Sequence, residues 1–310
     1  MILNHLTSKD NQEEWLRIRK HYLTGTDAGA VCGMNPYKSA MQVYLDKTTP
    51  DIEIMDNEFM RLGRDLEDYV ALRFMEATGK KVRRTNAMYV SDEHPFMMAN
   101  VDRLVVGERV GLECKTASPY SSDRYKDGNI PEWYYLQCQH YIKTLEMDGW
   151  YLAVLIFGKG FQYTYIPRDD ELLSDLVAIE QDFWENHVKA GIMPSPDGSK
   201  RADELIQKYF HSKAGVETRL VGLDDQIERR NELAALVKKM QTEQKTIEQT
   251  LKVYLEKEQA QIGISDRFRV TWTEYETQRL DTERLKKEQP EIYQNYTKVQ
   301  KSSRLSIHAA

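Results

Sequence analysis

At 310 residues and 36.3 kDa, the chain can bury a sizeable core in one large domain or two smaller ones. Its 41% hydrophobic and 30% charged residues describe a soluble globular protein, and its formal charge of −6 argues against coating nucleic acid through bulk positive charge, so any such contact rests on local basic clusters or on enclosure. Three cysteines, Cys32, Cys114 and Cys138, are too few and too widely spaced for a disulfide framework or a zinc knuckle. A reducing cytoplasm fits them, no stretch is long enough for a membrane span, and the N-terminus carries no signal-peptide pattern.

Glu13 to Lys20 (EEWLRIRK) reads as a short helix with Trp15 and Ile18 inward and Arg17, Arg19 and Lys20 outward. It leads to Thr24-Gly25-Thr26-Asp27, a cap for a helix over Ala28 to Cys32. A capped start beside a hydroxyl is a natural anion seat; a basic helix face followed by an ordinary N-cap reads the same residues equally well. The acidic run between Pro50 and Asn57 reads as a surface loop. Helical spacing then runs from Glu58 to Thr78 through Phe59, Leu62, Leu66, Tyr69, Val70 and Phe74, with Gly79 as its stop. Glu67 borders that apolar face, where a carboxylate is ordinarily a solvated flank. Lys80, Lys81, Arg83 and Arg84 form a basic patch, either a phosphate track or a solvated turn, before a strand around Ala87 to Val90.

Met98 to Ala117 reads as a hairpin folded about Gly107-Glu108 and resuming at Val110. Period-two geometry puts Glu113 and Lys115 on one face and Leu112, Cys114 and Thr116 on the other, while Asp102 on the preceding strand comes alongside. Two carboxylates and a lysine at one sheet edge suit a hard divalent metal such as Mg²⁺, with the lysine steadying an attacking water or a phosphate oxygen. An ordinary surface ion pair fits the same spacing. Ser118 to Gly128 reads as a loop at the rim, and Pro131 opens a helix running to Met147. On it Gln137 and Tyr141 share a face, either to bond a phosphate or orient a metal-bound water, or as the polar flank of a half-buried helix. His140 carries no separate signal.

Trp150 to Phe157 is a continuous apolar strand, turned by Gly158-Lys159-Gly160 into an alternating strand over Phe161 to Ile166. Asp170 to Ala190 follows as an amphipathic helix with Leu172, Leu173, Leu176, Ile179, Phe183 and Trp184 inward. Pro194 to Ser199 is the clearest linker, which sets a first domain at 1–195 and a second at 196–310. In the second, Leu233, Val237, Met240, Gln244, Ile247, Leu251 and Tyr254 make a heptad seam broken by one amide. Arg267 to Tyr275 alternates as a strand, Asp281 caps a helix, and Ser303 to His308 closes the chain as a strand.

Asp102 followed by Glu113-Cys114-Lys115 resembles the PD-(D/E)XK nuclease signature. Val101 stands for the usual proline, and Arg103 for the frequent glycine, which puts a bulky cation close to a metal site. The opening set Trp15, Arg19, Thr24, Thr26, Asp27, Gly33, Pro36, Tyr37, Lys38 and Ser39 resembles one branch of that superfamily, the YqaJ-type phage recombinase nucleases related to lambda exonuclease. Gly63-x-x-x-Glu67 and Gln137-x-x-x-Tyr141 resemble two further motifs of that branch. The likeness is strong over residues 13–168 and looser after the linker.

This resemblance implies an α/β (α+β) fold: a restriction-endonuclease-like core with a central mixed β-sheet flanked by helices, plus a mainly helical C-terminal extension. It implies that Asp102, Glu113 and the Cys114 carbonyl hold Mg²⁺, with Mn²⁺ as a substitute, and that Glu67 helps place a second ion. Lys115, Gln137 and Tyr141 would complete the catalytic set, and Arg19 and Thr26 would grip a DNA 5′-phosphate. The implied activity is 5′→3′ digestion of double-stranded DNA ends, leaving a 3′ single strand for a single-strand annealing protein. A homotrimeric ring in the cytoplasm of a bacterial host of phage or prophage, with no membrane association, completes the expectation. A structure-selective endonuclease and a recombination scaffold are the alternatives. Intact Asp102, Glu113 and Lys115 disfavour the scaffold, and an end grip is useless to an enzyme that cuts internally.

Overall fold

The computed structural model describes residues 1–5, 11–50, 57–210, 215–298 and 305–308. The chain divides into two units, Met1–Phe210 and His211–Ala310. The first therefore runs past the linker at Pro194 to Ser199 where the sequence suggested an end near residue 195. Ser199 caps a further helix, Lys200–Tyr209, whose Ala202 and Leu205 are buried, and Leu205 joins the core cluster of Leu23, Tyr44 and Phe183. A short amphipathic helix after a proline-rich turn looks the same in sequence whether it docks backward or forward.

In chain order the first unit comprises β1 (Ile2–Asn4), α1 (Gln12–Arg19), β2 (Leu23–Thr24), α2 (Gly25–Val31), α3 (Ala40–Thr48) and α4 (Glu58–Thr78). There follow β3 (Val82–Arg83), β4 (Met88–Val90), β5 (Met97–Asn100), β6 (Arg103–Val105), β7 (Val110–Ala117), α5 (Glu132–Leu145), β8 (Gly149–Ile156), β9 (Gly160–Pro167), α6 (Asp170–Phe183) and α7 (Lys200–Tyr209). The central mixed sheet is β3-β6-β7-β8-β9, and a second, four-stranded sheet runs β1-β4-β5-β2. β7 and β8 pair in parallel from Val110↔Gly149 to Ala117↔Ile156, joined through α5 in the crossover that a parallel pair requires. Gly107, with φ +83°, makes the turn between β6 and β7, whose register sets Arg103 opposite Leu112.

β5 ends in one sheet and β6 begins in the other, so Val101-Asp102 is the step between sheets. Asp102 thus stands at a bend, and not on a strand as its apolar neighbours suggested.

β8 is apolar throughout because both its faces are covered. Trp150 and Leu152 pack with Cys138 and Ile142 of α5, whereas Ala153, Tyr151 and Leu155 meet Val70, Ala71 and Phe74 of α4. α4 begins and ends where its periodicity placed it, closing on Gly79 at φ +71°. It buries mainly its C-terminal half, since Phe59 and Tyr69, expected inward, are exposed. On α6 the buried stripe is Leu173, Leu176, Val177, Glu180 and Phe183, which leaves Ile179 outside and brings a glutamate in. Between Ser118 and α5 the expected loop contains 3-10 turns over Pro119–Gly128.

The second unit holds α8 (Asp224–Lys257), the hairpin of β10 (Ile262–Ile264) and β11 (Arg269–Thr271), α9 (Thr282–Glu288) and α10 (Pro290–Asn295). The heptad seam lies on α8, with Leu233, Val237, Met240, Ile247, Leu251 and Tyr254 exposed. β11 is shorter than the strand read over Arg267 to Tyr275, and Asp281 caps α9 through the Arg284 N–H as expected. Residues 305–308 form no strand, while 303, 304 and the acidic stretch 51–56 lie outside the described residues.

Candidate active site

Alternation along β7 turns Leu112 and Cys114 toward α4 and so turns Glu113 and Lys115 toward α5. Lys115 Nζ lies 2.6 Å from Glu113 Oε1, and Gln137 Nε2 donates to that same oxygen at 2.7 Å and to the Tyr141 hydroxyl at 2.9 Å. Glu113, at 4% exposure, has its other oxygen, Oε2, buried and without a partner. Asp102 Oδ2 accepts from the Cys114 N–H at 2.8 Å. An extended residue sends its N–H and C=O out by the same edge, so the Cys114 carbonyl shares the edge that Asp102 occupies.

Burial, then the charges of Glu113 and Glu67, push the Asp102 carboxyl well above the ordinary carboxylate range, against the pull of Lys115 and the Cys114 N–H. For Lys115, burial alone would lower the pKa. The charge of Glu113, followed by Tyr134 and Asp102, outweighs it and holds the ammonium well above its usual value. Lys115 is thus held as an ammonium beside Glu113; its Nζ also lies 4.8 Å from the Tyr134 ring centroid. Burial likewise keeps the Tyr141 phenol neutral, with Glu113 adding to the effect.

Glu67 lies near enough for its charge to act on Asp102, but its own partner is Arg103. Buried Arg103 takes it at 2.5 Å, takes Asp68 at 2.6 Å, and bonds the Asp102 carbonyl at 2.6 Å. Arg103 thus ties α4 to the sheet-to-sheet step through Glu67, Asp68 and the Asp102 carbonyl. Among the described residues no three acidic, histidine or cysteine side chains converge as a metal cluster.

The N-terminal segment supplies a second polar group. Thr24, and not a residue nearer Ala28, caps α2, with Asp27 accepting from the Thr24 N–H at 3.1 Å and from its hydroxyl at 2.8 Å. Arg19 faces inward, against the expectation that it points out: Nη1 bonds Asn100 Oδ1 at 2.9 Å, and Nη2 bonds Thr24 and Thr26 hydroxyls, each at 3.1 Å. Its guanidinium sits 4.2 Å from the Trp15 ring centroid. Lys20, also expected outward, bonds the Asp46 and Thr49 carbonyls. The contacts are of a kind that 3.6-residue periodicity does not register.

The two groups adjoin. Gly25 lies so close to Tyr141 that a Cβ there would meet the ring at 2.4 Å, and Asn100, bonded by Arg19, closely precedes Asp102. A contact path thus runs from Thr26 through Gly25, Tyr141 and Gln137 to Glu113.

Two buried polar clusters, whose pairings no sequence spacing announced, hold these segments. Asp27 is paired with Lys38 at 2.9 Å and Lys47 at 2.7 Å, and these cations take its carboxyl well below the usual range although burial opposes them. His140, fully buried, bonds Glu180 at 2.8 Å and the Met98 carbonyl at 3.0 Å, pinning α5 to α6 and β5. A buried Glu180 at the i+4 and i+7 positions of the α6 apolar stripe was the one available signal for the second.

A family model described as the YqaJ-like viral recombinase domain matches residues 14–148. The uncharacterized protein YqaJ of Bacillus subtilis strain 168 is 34% identical over 296 residues, which is 94% of this chain and 92% of that protein. Among solved structures, the alkaline exonuclease LHK-Exo of Laribacter hongkongensis, crystallised also in complex with dAMP, matches with a TM-score of 0.50 at 20% identity, over 63% of this chain and 97% of its own. That second likeness is one of fold, the mixed α/β arrangement flanked by helices. At 34% identity over nearly its whole length to the Bacillus subtilis protein, and with the family model matching residues 14–148, the chain belongs to the YqaJ-like viral recombinase family.

Proposed function

We propose that this protein is a divalent-cation-dependent deoxyribonuclease that digests duplex DNA from its ends, 5′→3′, leaving a 3′ single strand for annealing. The observation that carries the reading is the asymmetry of Glu113. One of its oxygens accepts from both Lys115 and Gln137, while the other is buried and unpartnered, and Asp102 bonds the N–H of the next residue, Cys114. A buried acceptor without a partner requires a reason, and a buried carboxylate oxygen on Glu113 together with Asp102, whose proton affinity burial and neighbouring negative charge raise, is the chemistry that a hard cation satisfies.

The residues present fit Mg²⁺, or Mn²⁺ in its place: Asp102, Glu113 and the Cys114 carbonyl would hold it. When bound, such an ion supplies Lewis-acid charge to the scissile phosphate and makes water a better nucleophile. A second ion would need Glu67 and hence its release by Arg103. Lys115, held cationic, donates to the attacking water or to the charge building on the phosphate oxygens. Gln137 holds Glu113 in one orientation, and Tyr141 holds Gln137. Arg19 and Thr26 receive the 5′-terminal phosphate, one contact path away from the carboxylates. A trimeric ring would keep an acidic protein on DNA by topology, and a single-strand annealing protein is the partner such a product calls for. The same end grip disfavours internal cutting.

The test is digestion of linear duplexes with 5′-phosphate, 5′-hydroxyl or closed ends, with and without Mg²⁺. Mg²⁺-dependent loss of the linear substrates is expected. Circular DNA cut as fast as linear DNA would remove the exonuclease reading, and no cleavage of any DNA would remove the nuclease itself.

A further inference from the structure

Beside the carboxylate edge, three elements distant in sequence bring aromatic rings and a cation together on the surface. Tyr37, from the turn after α2, is 62% exposed. Its ring meets that of Trp133, at the start of α5, with centroids 5.8 Å apart and planes at 88°, forming a right-angled corner. Arg124, exposed on the segment before α5, covers the corner: its guanidinium lies 5.3 Å from the Trp133 centroid, and Nη1 bonds the Tyr37 hydroxyl at 2.8 Å. Tyr134 extends the aromatic surface, its ring 5.6 Å from Trp133 and 4.8 Å from Lys115 Nζ.

Trp133 and Gln137 are four residues apart on the same face of α5, so the corner stands roughly 6 Å along the helix from the residue that holds Glu113. Gly29 fixes this placement, because its α-carbon abuts the backbone of Trp133 so closely that a Cβ would lie 2.7 Å from the Trp133 Cβ. The exposed Tyr37 ring and the half-buried Trp133 and Tyr134 rings, with Arg124 and Lys115 beside them, suit a ligand that is flat, π-rich and anionic. The Arg124 guanidinium is the group that stands against Trp133 in the free protein.

We infer that Tyr37 and Trp133 form a stacking corner for an unpaired nucleobase, the base adjoining the phosphate at the Glu113–Lys115 edge. The base takes the place against Trp133 that Arg124 fills in the free protein, and Arg124 turns its donors to the backbone phosphate. Such a corner favours ends whose terminal pair has opened and is tolerant of sequence, because every base has a π face. The inference rests on the nuclease reading and deepens it by naming what holds the base beside the cut.

The experiment uses the full chain in EDTA, with 5′-phosphorylated duplexes carrying 2-aminopurine, an ordinary base or an abasic residue at the 5′ terminus. Wild-type protein should quench the terminal 2-aminopurine and leave one placed in mid-duplex unchanged. Tyr37→Ala and Trp133→Ala should each weaken binding of the base-bearing end by about five- to a hundredfold and leave binding of the abasic end unchanged, whereas Trp133→Phe should retain most of the quenching. Tyr37 is exposed enough that its removal leaves the fold intact, so it carries the test should Trp133→Ala unfold. Equal losses on base-bearing and abasic ends, or no quenching at the terminus by protein that digests linear DNA, would overturn the stacking corner alone. Protein that neither binds nor digests DNA ends would overturn it together with the nuclease reading.

Discussion

Replacing Arg19 by alanine separates a phosphate clamp from a structural strut. Three of the five guanidinium donors are engaged, one with Asn100 at 2.9 Å and one each with Thr24 and Thr26 at 3.1 Å, and a terminal phosphate would take over the donor that now meets Thr26. A charge-assisted bond to phosphate is worth roughly 1.5–3 kcal/mol, or about ten- to a hundredfold in binding. Arg19→Ala also forfeits the three neutral-acceptor bonds and the contact with Trp15, at a cost of the order of 1 kcal/mol per bond. That loss falls equally on every substrate. The ratio of initial rates on 5′-phosphorylated and 5′-hydroxyl linear duplexes therefore isolates the phosphate contact: it should fall toward one in Arg19→Ala, with the hydroxyl substrate slowed much less. Arg19→Lys should restore part of the ratio, because a point charge lacks the planar fork. An unchanged ratio, with both substrates slowed by one common factor, would refute the clamp and leave Arg19 as the tie between α1, α2 and β5.

Lys115→Ala should abolish cleavage while DNA binding stays measurable by anisotropy, since the ammonium stabilises charge that develops in the transition state; substantial residual cleavage would place the chemistry elsewhere. Gly25→Ala should drive a methyl into the Tyr141 ring, which Gln137 and the packed Trp150 ring prevent from moving aside. Overpacking of this kind costs about 1–3 kcal/mol, so calorimetry should record a melting point lower by several degrees, with activity lost beyond what the melting point explains. An unaltered melting point would show that the ring has room. Stability should also depend on pH through His140. Burial lowers its pKa, but Glu180 and the two hydrogen bonds more than reverse this, so the folded value stands above the ordinary 6.5. The stabilisation is then complete below pH 6.5 and is lost as pH rises through the raised folded value. The melting point should decline over that window, and His140→Gln should flatten the decline; identical profiles would assign it to another group.

Local periodicity made much of the site legible. Period two predicted that Glu113 and Lys115 share a face, and they do so at 2.6 Å. Spacing by four predicted that Gln137 and Tyr141 share a stripe, and they are bonded at 2.9 Å. The bounds of α4 and the Asp281 cap of α9 followed from the same short-range rules. Where periodicity misled, a polar contact had overridden it. Arg19 and Lys20 lie on the nominally outer face of α1 and still turn inward, because carbonyls, hydroxyls and Asn100 take their donors. Glu67 sits where the motif places it, yet Arg103 claims it. No spacing rule connects positions 67 and 103.

By itself, then, the sequence determined the longer elements such as α4, α5, β7 and β8, the shared faces of Glu113 with Lys115 and of Gln137 with Tyr141, and the family resemblance, since each depends on residues within a turn or a strand of one another, or on motif order along the chain. Tertiary structure decided that β7 and β8 pair in parallel, that Asp102 stands at the step between two sheets, that the first unit extends to Phe210, and that Tyr37, Arg124 and Trp133 meet. The reason is physical: each of these is a choice among packings of equal local propensity, made only when burial of β8 on both faces, and the pairing of buried charges such as Asp27 with Lys38 and Lys47, select one arrangement of the whole chain.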